Sequence, residues 1–145
     1  MPFSIAPLLG TAGLGLLSGA MLSSSFLSIP AILEAPREIQ PVVFKRLFAI
    51  GRATMPALAI ASAGALLFSY ATSPVKRTDY LYSAGLAIAI IPFTLLAMMP
   101  TVNACHEVRP DVAIYLKRWA YLNTIRGLFP LVGFVLNLIA TAARS

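Results

Sequence analysis

The sequence predicts an all-α membrane protein, a bundle of four transmembrane helices that run up, down, up and down. Of its 145 residues, 59% are hydrophobic and 11% are charged, too few charges to cover a water-soluble globule. Mean hydropathy is +0.84. Four apolar stretches, 5–33, 47–73, 80–99 and 119–143, each reach the about 20 residues that a spanning helix needs. We expect residues 1–145 to form one membrane domain.

The first stretch is rich in small residues and ends between Pro30 and Pro36. A cleaved secretory signal is an alternative interpretation, but the stretch lacks a basic start and exceeds the about 7 to 15 apolar residues of a signal. Gly15 and Gly19 form a small-xxx-small pair, which allows close packing either within the bundle or across an oligomer interface. The serine run 23–25 either bonds to another helix or lines a polar cavity.

Prolines also mark the second and third stretches. Proline removes a backbone donor and strains the preceding turn, so we expect Pro56 to kink the second helix and free the carbonyl of Arg52. The third helix contains Pro92 and is expected to end at Pro100. The loops should span 34–41 and 101–117, and Asp111 is a candidate N-cap for a fourth helix that starts before the membrane.

Polar residues gather at one end of the four stretches. Consecutive helices of an up-down bundle alternate in direction, so these ends meet on one side of the membrane and predict a polar site there. The site candidates are Glu34 from the first stretch, Arg52 from the second, Asn103 and His106 from the third, and Trp119, Asn123 and Arg126 from the fourth.

The formal net charge is +6, but the basic residues flank apolar stretches and form no stripe with interleaved aromatics. We therefore expect a lipid bilayer and no nucleic acid as partner. Eight basic residues on the polar side against three on the other favour a cytoplasmic site, with both termini on the opposite side. The eight are Arg37, Lys45, Arg46, Arg52, Arg109, Lys117, Arg118 and Arg126, and the three are Lys76, Arg77 and Arg144.

Trp119, Asn123 and Arg126 are spaced i, i+4 and i+7, so they share one face of a helix. An indole, a carboxamide and a guanidinium on one face suit a flat aromatic ligand that carries oxygens. The 17 residues 127–143 are close to the lower limit of a membrane span, which places Arg126 near the boundary. The alternative is an interfacial arginine that reaches towards the headgroups beside an aromatic-belt tryptophan.

Arg52 lies about five residues into the predicted second helix, roughly 7 to 8 Å from its start. It is either a structural ion pair with Glu34 or a substrate clamp. His106 is the only histidine, and its unperturbed pKa near neutrality suits a general base, although a lone loop histidine is often a solvated surface residue. No metal-ligand cluster and no nucleotide motif appears, so we expect neither metal nor cofactor.

Four sequence blocks resemble those of the anthrone oxygenase family, small four-helix membrane proteins of fungal aromatic polyketide pathways with bacterial relatives. The blocks are 19–30 (GAMLSSSFLSIP), 50–56 (IGRATMP), 92–103 (PFTLLAMMPTVN) and 119–133 (WAYLNTIRGLFPLVG). Two departures stand out. The family usually shows two adjacent asparagines where this chain has Val102 and Asn103, and many fungal members have a histidine where Asn123 stands.

The resemblance implies that O2 oxidises an anthrone to an anthraquinone without an evident flavin or metal requirement. In that scheme Arg126 and Asn123 hold the substrate oxygens, Trp119 stacks on the rings and Arg52 adds positive potential. Asn103 would orient the oxygen atoms, and His106 is the nearest candidate base. The alternative is a non-catalytic four-helix membrane protein that binds, carries or assembles.

Overall fold

A computed structural model of the chain describes residues 5–143. Its regular elements are all helical, and four long helices are each apolar enough to cross a membrane. Each helix packs against the next one in the chain, and the last packs back against the first. The predicted four-helix bundle is therefore confirmed, and the chain is a multi-pass membrane protein. The helices are α1 (Ile5–Leu33), α2 (Gln40–Thr72), α3 (Thr78–Cys105) and α4 (Val112–Ala142).

The outer surface of the bundle is apolar. Large hydrophobic side chains point away from the core on every helix, and the exposed fraction reaches 68% for Leu16 and 82% for Leu96. A water-soluble protein rarely exposes such a continuous apolar surface. These side chains face lipid. Arg144, predicted to lie beyond the fourth helix, falls outside the described residues.

Two of the four helices contain a π-helical segment just before a proline. The segments are Ser24–Ser28 in α1 and Thr94–Met98 in α3, followed by Pro30 and Pro100. A proline ring clashes with the carbonyl four residues earlier, and the wider π turn relieves that clash. The expectation that the third helix ends at Pro100 is wrong, because α3 continues to Cys105. Pro56 lies inside α2, as predicted, and the kink expected there stays a prediction.

The loops near the polar end are shorter than predicted. The first spans 34–39, because α2 begins at Gln40. The Nε2 of Gln40 donates to the carbonyls of Leu33 and Ala35, at 3.3 and 3.0 Å, and so satisfies the end of α1. The third loop spans only 106–111. Asp111 stands at the predicted N-cap position but makes no capping bond, since its carboxylate accepts from Arg109 Nε at 3.0 Å.

Close packing of α4 depends on two glycines. The hydroxyl of Ser18 in α1 donates to the carbonyl of Gly127 at 2.9 Å, and that of Ser83 in α3 donates to the carbonyl of Gly133 at 3.0 Å. A Cβ on Gly133 would lie 3.2 Å from the Cα of Ser83. Small residues thus let helix backbones approach and bond directly.

The predicted small-xxx-small pair is split between two environments. A Cβ on Gly15 would lie 3.1 Å from the ring of Phe134 in α4, so this glycine packs within the bundle. Gly19 is exposed and has nothing within 4 Å of its Cβ position. The two glycines therefore do not form one helix–helix contact inside the bundle.

Candidate functional site

All four helices line a cavity of about 190 Å³. Since one water needs roughly 10 to 15 Å³ by this measure, the cavity has room for a tricyclic aromatic molecule. Most of the wall is aliphatic, thioether or aromatic, as expected of a ligand site with a few oriented polar groups. The lining residues with polar side-chain atoms are Ser24, Arg52, Thr94, Trp119, Asn123 and Arg126.

Asn123 is the fully buried centre of the polar wall, with 0% of its surface exposed. Its Nδ2 donates to the carbonyl of Met21 at 2.6 Å and to the hydroxyl of Ser25 at 2.9 Å. Its Oδ1 accepts from Nη2 of Arg126 at 2.5 Å. Because both ends of the carboxamide are engaged, Asn123 is held rigidly and in turn orients the arginine.

Arg126 is held from two sides. Besides its bond to Asn123, its Nη1 donates at 2.7 Å to Oγ1 of Thr94, and that hydroxyl donates to the carbonyl of Ile90 at 2.7 Å. Thr94 begins the π segment of α3. The guanidinium is therefore hydrogen-bonded to α3 and to its own helix, and it has no acidic partner within residues 5–143.

Two hydrogen-bond donors of the cavity residues lack acceptors among residues 5–143. They are Nε of Arg126 and the indole Nε1 of Trp119, which is only 3% exposed. Both nitrogens are buried from solvent and from the cavity, so each carries a cost of about 1 to 3 kcal/mol. The predicted face of Trp119, Asn123 and Arg126 does border one cavity, which is consistent with the i, i+4, i+7 spacing.

Arg52 lines the same cavity from α2 but is exposed. The expected ion pair with Glu34 is absent among the described residues, and Glu34 is exposed and lies outside the cavity wall. Because α2 starts at Gln40, Arg52 is roughly 18 Å along the helix instead of the expected 7 to 8 Å. The ion-pair alternative for Arg52 is therefore wrong, and its role as a substrate clamp stays a prediction.

The structure does not bring Asn103 and His106 to the cavity. Asn103 is exposed, whereas its neighbour Val102 is fully buried in the core. His106 packs against the rings of Phe44 and Phe48, with centroids 5.8 Å apart in each case. Phe48 lines the cavity and His106 does not. Asn103 and His106, the polar residues predicted for the site at the end of α3, therefore do not contribute to the cavity wall.

The surroundings of His106 favour its neutral form. Burial lowers the pKa of its imidazole, and the positive charge of Lys45 lowers that pKa further. Its Nε2 is buried without a hydrogen-bond partner among the described residues. His106 thus belongs to an aromatic cluster that closes one end of the cavity, together with Phe44, Phe48 and Trp119.

Sequence reasoning missed Thr94, whereas it expected the serine run 23–25 to bond to another helix or line a polar cavity, and Ser25 does accept from Asn123 of α4. Both are hydroxyl residues in π segments, and both hold the Asn123–Arg126 pair. The sequence did offer a sign of the role of Thr94. It is flanked by apolar residues in α3, and a hydroxyl in such surroundings needs a polar partner on a neighbouring helix. No group of three or more histidine, cysteine, aspartate or glutamate side chains within residues 5–143 is placed to hold a metal ion.

Comparison with known proteins gives a consistent result. The anthrone oxygenase family profile matches residues 44–136. An anthrone oxygenase of Aspergillus fumigatus is 35% identical over 137 residues, 84% of each protein. One from Aspergillus novofumigatus is 32% identical over 83% of each protein. The noranthrone monooxygenase of Aspergillus flavus is 28% identical over 85% of this chain and 67% of that protein. No solved structure matches. The chain therefore belongs to the anthrone oxygenase family and is an oxygenase-like enzyme.

Proposed function

We propose that this chain is a membrane-embedded oxygenase that uses O2 to oxidise a planar aromatic polyketide of the anthrone type to the quinone, with no cofactor. Its relatives named anthrone oxygenase support the substrate class. The observation that carries the proposal is the guanidinium of Arg126, which borders the cavity and is fixed by Asn123 and Thr94. A phenolic or carbonyl oxygen of the substrate accepts from the remaining N–H groups of Nη1 and Nη2.

The electron balance of this reaction needs no external reductant. Converting the central methylene of an anthrone to a carbonyl releases the four electrons that reduce one O2, so one oxygen atom enters the substrate and the other leaves as water. The substrate enolate gives one electron to O2, and the resulting radical pair forms a C–O bond. The peroxide then loses water, using the remaining hydrogen on that carbon, and the O–O bond breaks as the carbonyl forms.

The cavity supplies positive potential for an anionic substrate. Arg52 and Arg126 are the ionisable side chains among the described lining residues, and both are cations. A nearby positive charge lowers the pKa of an acidic ligand, whereas burial against an apolar wall raises it, and we expect the two guanidinium groups to outweigh the burial. The substrate therefore loses its proton to water on entering the cavity, and His106, which lies outside the wall, has no part in this scheme.

The other residues orient the substrate. The indole of Trp119 borders the cavity and offers a flat surface on which the substrate rings stack. Lys45, Arg46, Lys117 and Arg118 are exposed at the aromatic-cluster end of the bundle, which favours the cytoplasmic leaflet for the site and the opposite side for both termini.

The test is quinone formation by membranes that contain the chain. An anthrone and O2 are supplied, and quinone absorbance and O2 consumption are followed without added reductant. We expect one O2 consumed per quinone and one labelled oxygen atom in the product when ¹⁸O2 is used. Arg126→Ala should lower kcat/KM by about 100-fold or more, the effect of losing a fixed cation that stabilises developing charge.

The matched control is Arg118→Ala, which removes an exposed arginine of the same helix that does not line the cavity. It should leave the rate unchanged. Equal rates for wild type and Arg126→Ala would refute the catalytic role of the cavity. Anthrone binding without turnover would instead support a non-catalytic binding or carrier protein.

A further inference from the structure

The exposed residues of the cavity wall all lie on α2 and α3. The lining residues from α1 and α4 are buried or partly buried. Met21 of α1 and Trp119 of α4, for example, are 1% and 3% exposed. Two lining residues on the opposite side, Ile50 of α2 and Leu95 of α3, are 51% and 62% exposed. Side chains that border a cavity and also face the outside mark its opening, which therefore lies between α2 and α3.

The facing parts of α2 and α3 lack the atoms that would close this opening. Gly51 lines the cavity, and a Cβ at this position would meet nothing within 4 Å. On the other side, Thr94–Met98 is π-helical, so α3 does not continue there as a regular α-helix. After this segment, α3 packs mainly against α4 and only sparsely against α2.

Aromatic rings pack against one another at the end of the cavity towards the loops 34–39 and 106–111. Trp119 and Phe44 pack edge to face with ring centroids 5.2 Å apart, and Phe44 stacks on Phe48 at 6.1 Å. His106 covers the two phenylalanine rings. A ligand from the aqueous side would have to displace this packed aromatic cluster, whereas the side opening is bordered by lipid-facing residues.

We propose that the substrate enters the cavity sideways from the lipid bilayer, through the gap between α2 and α3 that Ile50, Gly51 and Leu95 border. This rests on the proposed function, because the ligand class is an apolar, planar molecule with an ionisable hydroxyl. Such a molecule concentrates in the bilayer near the headgroups. Arg52, exposed and bordering the cavity, meets its oxygen at the rim.

Two matched pairs of variants test this route. Gly51→Phe and Leu95→Phe narrow the gap, while Gly64→Phe and Leu96→Phe add the same bulk on the same helices at exposed positions that do not line the cavity. Trp119 is the only tryptophan, so its fluorescence reports on the cavity in every variant. The probe is an anthraquinone dissolved in phosphatidylcholine vesicles, which quenches the indole when it binds.

We expect the rate of quenching in wild type to follow the mole fraction of anthraquinone in the bilayer. The gap variants should slow it by about tenfold, which corresponds to roughly 1.4 kcal/mol of added barrier, and the controls by less than about twofold. Equal effects in gap and control variants, a rate that follows the aqueous concentration, or no quenching in wild type would overturn the proposal. Turnover is measured separately, so failure of the oxygenase assay is a distinct result.

Discussion

Thr94→Val tests whether the position of Arg126 matters for turnover. Valine has the shape of threonine but offers no acceptor to Nη1 of Arg126, which now bonds to Oγ1 at 2.7 Å. A hydrogen bond to a charged group contributes about 1.5 to 3 kcal/mol. If that bond holds the guanidinium in its productive position, kcat should fall by about 10- to 150-fold. The bond of Oγ1 to the carbonyl of Ile90 is also lost, which calls for a control.

Thr124→Val is that control. Its hydroxyl donates to the carbonyl of Ala120 at 2.8 Å, four residues earlier, but forms no hydrogen bond with an arginine in the described structure. Quinone formation in proteoliposomes is measured for both variants, alone and combined with Arg126→Ala. We expect Thr124→Val to keep wild-type kcat and Thr94→Val to add no further loss once the arginine is gone. Equal losses in the two valine variants, or additive losses with Arg126→Ala, would refute the positioning role of Thr94.

Three further predictions concern stability, each measured by thermal unfolding in detergent. Asn123→Leu should lower the unfolding free energy by about 1 to 3 kcal/mol, because its three hydrogen bonds are buried, and an unchanged Tm would contradict this. The pKa of His106 is lowered in the fold, so the wild-type protein should lose stability as pH falls below about 6.5. The His106→Phe variant should lose less stability over the same range. Parallel pH profiles of the two proteins would contradict this prediction. Gly133→Ala should destabilise by about 1 to 3 kcal/mol, whereas Gly19→Ala should be neutral or slightly stabilising; similar shifts would be inconsistent with the close contact at Gly133.

The fold was predictable because lipid imposes a simple pattern. Length and apolarity define four spans, and proline positions locate the first loop within a few residues. The same pattern could not reveal the π segments. A helix that is hydrophobic on all sides has no periodic pattern, so one additional residue leaves no trace in the sequence. Pro100 therefore indicated a helix end, and the third loop was predicted too long.

The site was predictable where its residues lie on a single helix. Spacing within α4 places Trp119, Asn123 and Arg126 on one face, and that face borders the cavity. Residues at helix ends were harder, because their direction depends on how the chain turns into the loop. His106 packs against Phe44 and Phe48, and the spacing of residues in the sequence does not show which side chains a loop residue will contact.

The π segment Thr94–Met98 makes the residue count in α3 as important as residue identity. A turn closed by i→i+5 bonds contains one residue more than an α-helical turn. Deleting one residue there would leave an ordinary α-helical turn and keep the parts on either side in nearly the same orientation, whereas a deletion in a regular part of α3 would rotate everything beyond it by about 100°. Val102 and Cys105, both fully buried, would stay in the core in the first case and turn away from it in the second. Natural variation in the length of α3 is thus expected at this segment rather than in the regular turns of the helix.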